Sequence, residues 1–181
     1  MQTVASTNER EEGPEVLKVP QLILLAVVMM FAMFTLTLPV AQLDGFVGRL
    51  LPDGGANLEL EKTVKGLFSS LHFAAYIPFA FIWGALSDKQ GKRKPFLLMG
   101  LLGQGIMYFI IPYLPNIWFV YLARFIEGIF AIAVVSMLMT MALDMAPAGR
   151  RGMTLGVFTL GMLLGNAAGA PLGGVISDRM G

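Results

Sequence analysis

The stretch "GALSDKQGKRKP", Gly84 to Pro95, sets Asp88, Lys89, Lys92, Arg93 and Lys94 between two long runs without Lys, Arg, Asp or Glu. Gly91 permits the tight turn that reverses the chain. Pro95 suits the first turn of a new helix. The stretch therefore reads as a short basic connection between two apolar helices, held on one side of a membrane by its lysines and arginine. Gly84 is expected to let the end of one helix approach another closely. Asp88 is placed to accept charge-assisted bonds from Arg93 or from exposed amides at a helix N-terminus.

Working outward, the apolar runs repeat. Five segments are expected, at about residues 21–43, 66–86, 95–114, 117–143 and 153–176. Each is near the ~20 residues that a helix needs to cross ~30 Å of hydrocarbon. Helices are expected because each backbone amide must be satisfied within its own segment. Strands of an outer-membrane barrel would be about half as long and would alternate polar and apolar positions. The composition agrees: 56% of residues are apolar, only 14% are charged, and mean hydropathy is +0.70. A soluble domain of this size needs far more charge to cover its surface.

Residues 1–18 are polar and mildly acidic and read as a solvated tail, without the basic start, short apolar core and cleavage site of a secretory signal. "LPDGG", Leu51 to Gly55, is expected as a turn in the longest connection. "LPN", Leu114 to Asn116, is expected as a tight turn, with Tyr113, Trp118 and Tyr121 in an interfacial aromatic belt and Trp83 at the opposite interface. Arg10, Lys18, the Lys89–Lys94 cluster, Arg150 and Arg151 fall on one side; Arg49, Lys62, Lys65 and Arg179 fall on the other. The positive-inside rule then places the N-terminus in the cytoplasm, in a plasma or inner membrane. The chain has no cysteine and one histidine, so thiol chemistry, disulfides and a His-rich metal site are excluded. A net charge of +1 without an arginine-rich face gives no sign of nucleic-acid binding. No cofactor is implied, and no motif activates a nucleophile.

The connection resembles the signature loop of the major facilitator superfamily, with Gly84, Leu86, Asp88, Lys89, Gly91, Lys92 and Arg93 all in place between a second and a third span. "ARFIEGIFA" in the fourth span resembles the family's Arg-x-x-Gln-Gly pattern through Arg124 and Gly128. Glu127 stands where glutamine is usual, and Phe130 where a glycine is usual. "GNAAGAPLGG" in the fifth resembles the family's antiporter motif through Gly169, Gly173 and Gly174, with Pro171 one place late. The resemblance implies an all-α polytopic membrane protein, with five spans of an expected six-helix N-terminal half. It implies that the basic loop takes part in conformational switching. It also implies secondary transport of a small solute by alternating access, with a coupling ion and with a C-terminal half as partner. Ion-coupled efflux of drugs or metabolites is the leading expectation. Import of a sugar or organic anion on the same fold is the alternative, and so is a non-transporting fragment or assembly partner.

Charged groups within spans are costly and are functional candidates by default. Glu127 is expected about 15 Å into the fourth span, near the midplane, with Arg124 on the same face. Two readings stand: Glu127 takes and releases a proton while Arg124 biases it or meets an anionic substrate, or the two form a permanent structural pair. His72 is expected about 9 Å from the outer face and Asn166 about 20 Å from the inner face. With Arg124 they either line one cleft or make ordinary interhelical hydrogen bonds. Gln104 and the many methionines read as packing. Gly161, Gly165, Gly169 and Gly173 recur at four-residue spacing, so one helix face is open to close approach by a partner; Pro171 marks a candidate hinge.

"GVISDRMG" at Gly174 echoes "GALSDKQG" at Gly84, ninety positions earlier. The two strings match the corresponding ends of two inverted three-helix repeats. By that analogy a sixth span is expected just beyond Gly181.

Overall fold

The computed structural model describes residues 19–39, 46, 50, 51, 58–147 and 149–180. The readings of the tail, of "LPDGG" beyond Leu51, of Arg10, Lys18 and Arg49, and of residues 40–43 lie outside these. The described chain forms helices α1 (Val19–Thr37), α2 (Leu58–Ala74), α3 (Tyr76–Gln90), α4 (Lys94–Ile110), α5 (Ile117–Asp144) and α6 (Arg151–Met180), with a 3-10 turn at Ile111–Tyr113. No strand occurs among the described residues. Helices α2 and α3 together make one 32-residue rod, Glu59–Gln90, so five spans are long and apolar enough to cross a membrane. Large apolar side chains cover the outside, with Ile77, Phe81, Leu102 and Phe109 all exposed, as a lipid-facing surface requires.

The second span departs from the sequence expectation at its start. It begins at Leu58, not near Gly66, so Lys62 and Lys65 are helical and not in a loop. The reason is local: Lys62 pairs with Glu59 and Lys65 with Glu61, at the i,i+3 and i,i+4 spacings that support a helical turn in water. At Ala75 the rod is interrupted by a turn. Pro78, the third residue of α3, has no N–H for the carbonyl of Ala74, which accounts for the break.

Helix α5 is the hub, touching α1, α2, α3, α4 and α6. Two apolar clusters sit at its two ends. Val120, Tyr121 and Ala123 pack with Val64, Phe68 and Ile111 at one end. Val134, Leu138 and Ala142 pack with Leu22, Leu25, Met29 and Phe158 at the other. Arg124 and Glu127 lie between the clusters, so the polar layer of the bundle is sealed above and below by hydrocarbon.

The four-residue glycine stripe of α6 meets α1. A Cβ on Gly161 would strike the carbonyl of Ala26, one on Gly165 the carbonyl of Met30, and one on Gly169 the hydroxyl of Thr37 and the carbonyl of Phe34. Contact positions rise together on both helices, so α1 and α6 run parallel, backbone against backbone. Across α5, a Cβ on Gly103 would enter the ring of Phe130. The phenylalanine that stands where the resembling motif has glycine is thus housed by a glycine on the neighbouring helix.

An added Cβ at Gly84 or at Gly174 meets nothing within 4 Å among the described residues. The indole Nε1 of Trp83 donates to the carbonyl of Ile129 at 2.8 Å. Pro171 lies inside α6, which runs from Arg151 to Met180.

Candidate functional site

Helix α5 presents Arg124 and Glu127 on one face, three residues apart. Arg124 Nη1 donates to Glu127 Oε2 at 2.8 Å. From α2, His72 Nδ1 lies 2.6 Å from the same oxygen. The other ring nitrogen, Nε2, lies 2.9 Å from the hydroxyl of Tyr76. His72 and Tyr76 are four residues apart and share a face across the Ala75 turn. Gly128 makes the meeting possible: a Cβ there would strike the backbone carbonyl of His72 and sit 3.1 Å from the Cβ of Ala75. The glycine lets α2 press against α5 at the level of the carboxylate.

All three charged or titratable partners are removed from solvent. Glu127 is 0% exposed, His72 1% and Arg124 3%. The guanidinium of Arg124 stacks 4.6 Å from the centre of the Phe68 ring, a cation–π contact that offsets part of its desolvation. Satisfaction is incomplete. Glu127 Oε1, Arg124 Nε and the hydroxyl of Tyr108 are buried without a hydrogen-bond partner.

Two cavities flank this layer. One, of about 280 Å³, is bordered by Thr37, Ser69, His72, Tyr76, Arg124 and Asn166. The other, of about 320 Å³, is bordered by Thr35, Phe68, Tyr108 and Arg124. Arg124 is common to both. The structure thus places Asn166 on the same cavity wall as His72 and Arg124. Tyr76 and Tyr108 were not singled out in the sequence. The signal for Tyr76 is its i,i+4 spacing from His72; Tyr108 has none, because its approach depends on how α4 packs against α5. Gln104, read as packing, is buried.

The basic connection forms a second, separate cluster at one end of the bundle. Arg93 Nε donates to Asp144 Oδ2 at 2.6 Å, and its Nη1 donates to Asp88 Oδ1 at 3.1 Å. Nη1 also lies 3.4 Å from Ser87 Oγ, which donates to the carbonyl of Gly84 at 3.0 Å. Gly91 holds a left-handed φ of 61°, and its N–H closes the turn onto the carbonyl of Asp88 at 3.2 Å. Arg93 therefore clasps the α3–α4 connection to the end of α5. Leu86, Lys89 and Lys92 are exposed beside the clasp. Asp144 is the member that sequence reading missed, since a pairing across 51 positions leaves no local trace. Its side chain is 53% exposed and that of Asp88 68%, so the clasp is a solvated contact and not a core element. No group of three or more metal-ligating side chains occurs among the described residues.

The model of the family described as Major Facilitator Superfamily matches residues 21–181. The chain is 35% identical over 117 residues to "Tetracycline resistance protein, class H" of Pasteurella multocida, covering 62% of this chain and 29% of that protein. It is 31% identical over 116 residues to "Multi-drug resistance efflux pump PmrA" of Streptococcus pneumoniae, covering 64% and 29%. It is 32% identical over 150 residues to "Multidrug resistance protein MdtG" of Dickeya zeae, covering 83% and 35%. The chain therefore spans about a third of the length of the curated relatives it matches. No solved structure matches it.

Proposed function

The chain belongs to the major facilitator superfamily, and from that premise we propose that it supplies five spans of a secondary transporter that exports a drug-like or metabolite solute in exchange for protons. The remaining spans of the two-half fold are its partner, the plasma or inner membrane its location, and the cytoplasm the side of its N-terminus. Lys92, Lys94, Arg150 and Arg151, close to the ends of their spans, support that orientation. The relatives' names, which speak of tetracycline resistance and multidrug efflux, support the direction and the solute class. Transport rather than catalysis is the activity.

The observation that carries this reading is the buried Glu127–Arg124–His72 cluster between two cavities. An ionised carboxylate at Glu127 holds Arg124 through Nη1. A proton on Glu127 removes the charge that holds it and leaves a guanidinium bordering both cavities with fewer commitments. Proton binding at Glu127 thus changes what Arg124 offers a solute in both cavities, so the two bindings are thermodynamically linked. The Arg93 clasp, made and broken at the membrane edge, is the switching contact between conformations.

The test is transport by the full-length protein in liposomes, with tetracycline and ethidium as probes. For one-for-one exchange, a gradient of one pH unit should sustain about a tenfold concentration ratio of probe. A protonophore should collapse it. Probe movement that ignores the gradient would overturn the coupled reading.

A further inference from the structure

Glu127 borders neither cavity, and its carboxylate is fully buried. A proton from the cavity must therefore pass through a neighbour. Among the described residues the carboxylate has two hydrogen-bonded neighbours, Arg124 and His72, both on Oε2. Arginine has donors only and keeps its proton, so it cannot hand one on. Histidine has two nitrogens and passes a proton in at one and out at the other. His72 has Nδ1 on the carboxylate and Nε2 on Tyr76, and both His72 and Tyr76 border the 280 Å³ cavity. We infer that Tyr76 and His72 form the proton path between that cavity and Glu127, an inference that rests on the proton-coupled reading above.

The step balances as follows. With a carboxylate at Glu127, His72 carries its proton on Nδ1 and donates to Oε2, while Nε2 accepts from the Tyr76 hydroxyl. A hydronium in the cavity gives a proton to Tyr76 Oη as Tyr76 gives its own to Nε2. His72 then gives its Nδ1 proton to Oε2. The cavity has lost one proton, Glu127 has gained one, and Tyr76 and His72 are both neutral, with the imidazole proton moved from Nδ1 to Nε2. The reverse sequence restores the starting tautomer, so loading and release use the same path. The groups facing the path are Tyr108 from α4 and Arg124 and Glu127 from α5; the cavity walls from α1 and α6 contribute Thr37 and Asn166, which do not titrate.

The experiment measures proton flux that accompanies tetracycline transport by the full-length protein in liposomes loaded with a pH-sensitive dye. His72→Asn keeps an amide N–H where Nδ1 stood but cannot relay, and proton flux should fall about a hundredfold, a typical loss for a positioned proton-transfer group. His72→Gly opens space for an added ring. Imidazole in the buffer should restore flux to it, whereas pyrazole, of the same shape but a far weaker base, should not. Wild-type flux in His72→Asn, or equal rescue by pyrazole and imidazole, would overturn the relay while leaving coupled transport intact. Tetracycline transport by the wild type without any proton flux would overturn the coupled reading itself, and the relay with it.

Discussion

Glu127→Ala is expected to destabilise the bundle by about 3–5 kcal/mol, the range for removing one member of a buried ion pair. The cause is less the lost bond than what remains. Arg124, 3% exposed, keeps its charge in a layer closed by hydrocarbon at both ends. Its Nε has no partner to begin with, and Nη1 would lose its acceptor. Removing both charges should recover most of the loss, so Arg124→Met with Glu127→Leu is expected to be more stable than Glu127→Ala alone. Thermal unfolding of the purified protein in detergent, followed by tryptophan fluorescence, compares the three. A loss below about 1 kcal/mol in the single variant is the behaviour of a solvated pair and would contradict the burial described.

Gly165→Val is expected to cost about 3 kcal/mol, at the upper end for inserting atoms into a filled interface. A Cβ at Gly165 falls on the carbonyl of Met30 and 2.9 Å from the Cβ of Met33, and a carbonyl within a helix cannot swing aside. The α1–α6 pair must separate along its length, and Gly161 and Gly169 lose their contacts as well. The control is Gly156→Ala on the same helix, where an added Cβ meets nothing within 4 Å. That change should be neutral or stabilise by about 0.5–1 kcal/mol, because alanine loses less backbone freedom in a helix. Equal destabilisation by both variants would contradict the parallel, backbone-to-backbone packing.

Much of the fold can be read in the chain because its main determinants are local. A run without charge reports a span, a basic cluster reports a turn, and glycines at every fourth position report a face open to a neighbour. What the glycine period cannot report is which neighbour; that α1 lies on it, in parallel, depends on the closing of the whole bundle. Trp83 shows the same limit. An aromatic near a basic loop reads as an interfacial residue, but its partner, the carbonyl of Ile129 on another helix, leaves no local trace. The extra helical turns at Leu58–Lys65 were hidden by their charges, which looked like a loop and act as i,i+3 and i,i+4 pairs.

The site divides in the same way. Arg124 and Glu127 share a helix, so their pairing follows from spacing. His72 was legible as a polar residue within a span but not as a ligand of Glu127, since that contact needs Gly128 to admit α2. Asp144 was illegible for the same reason, standing on a different helix from the Arg93 that binds it.

The central claim is that Glu127 carries the coupling proton, and the most direct measurement is the proton-to-tetracycline flux ratio of Glu127→Gln in the full-length transporter. Glutamine keeps the shape and one oxygen acceptor but cannot take up and release a proton at working pH. The expected result is a ratio that falls to the leak level, with tetracycline movement no longer driven by a pH gradient. A Glu127→Gln protein that moves protons and tetracycline together at the wild-type ratio would contradict the account.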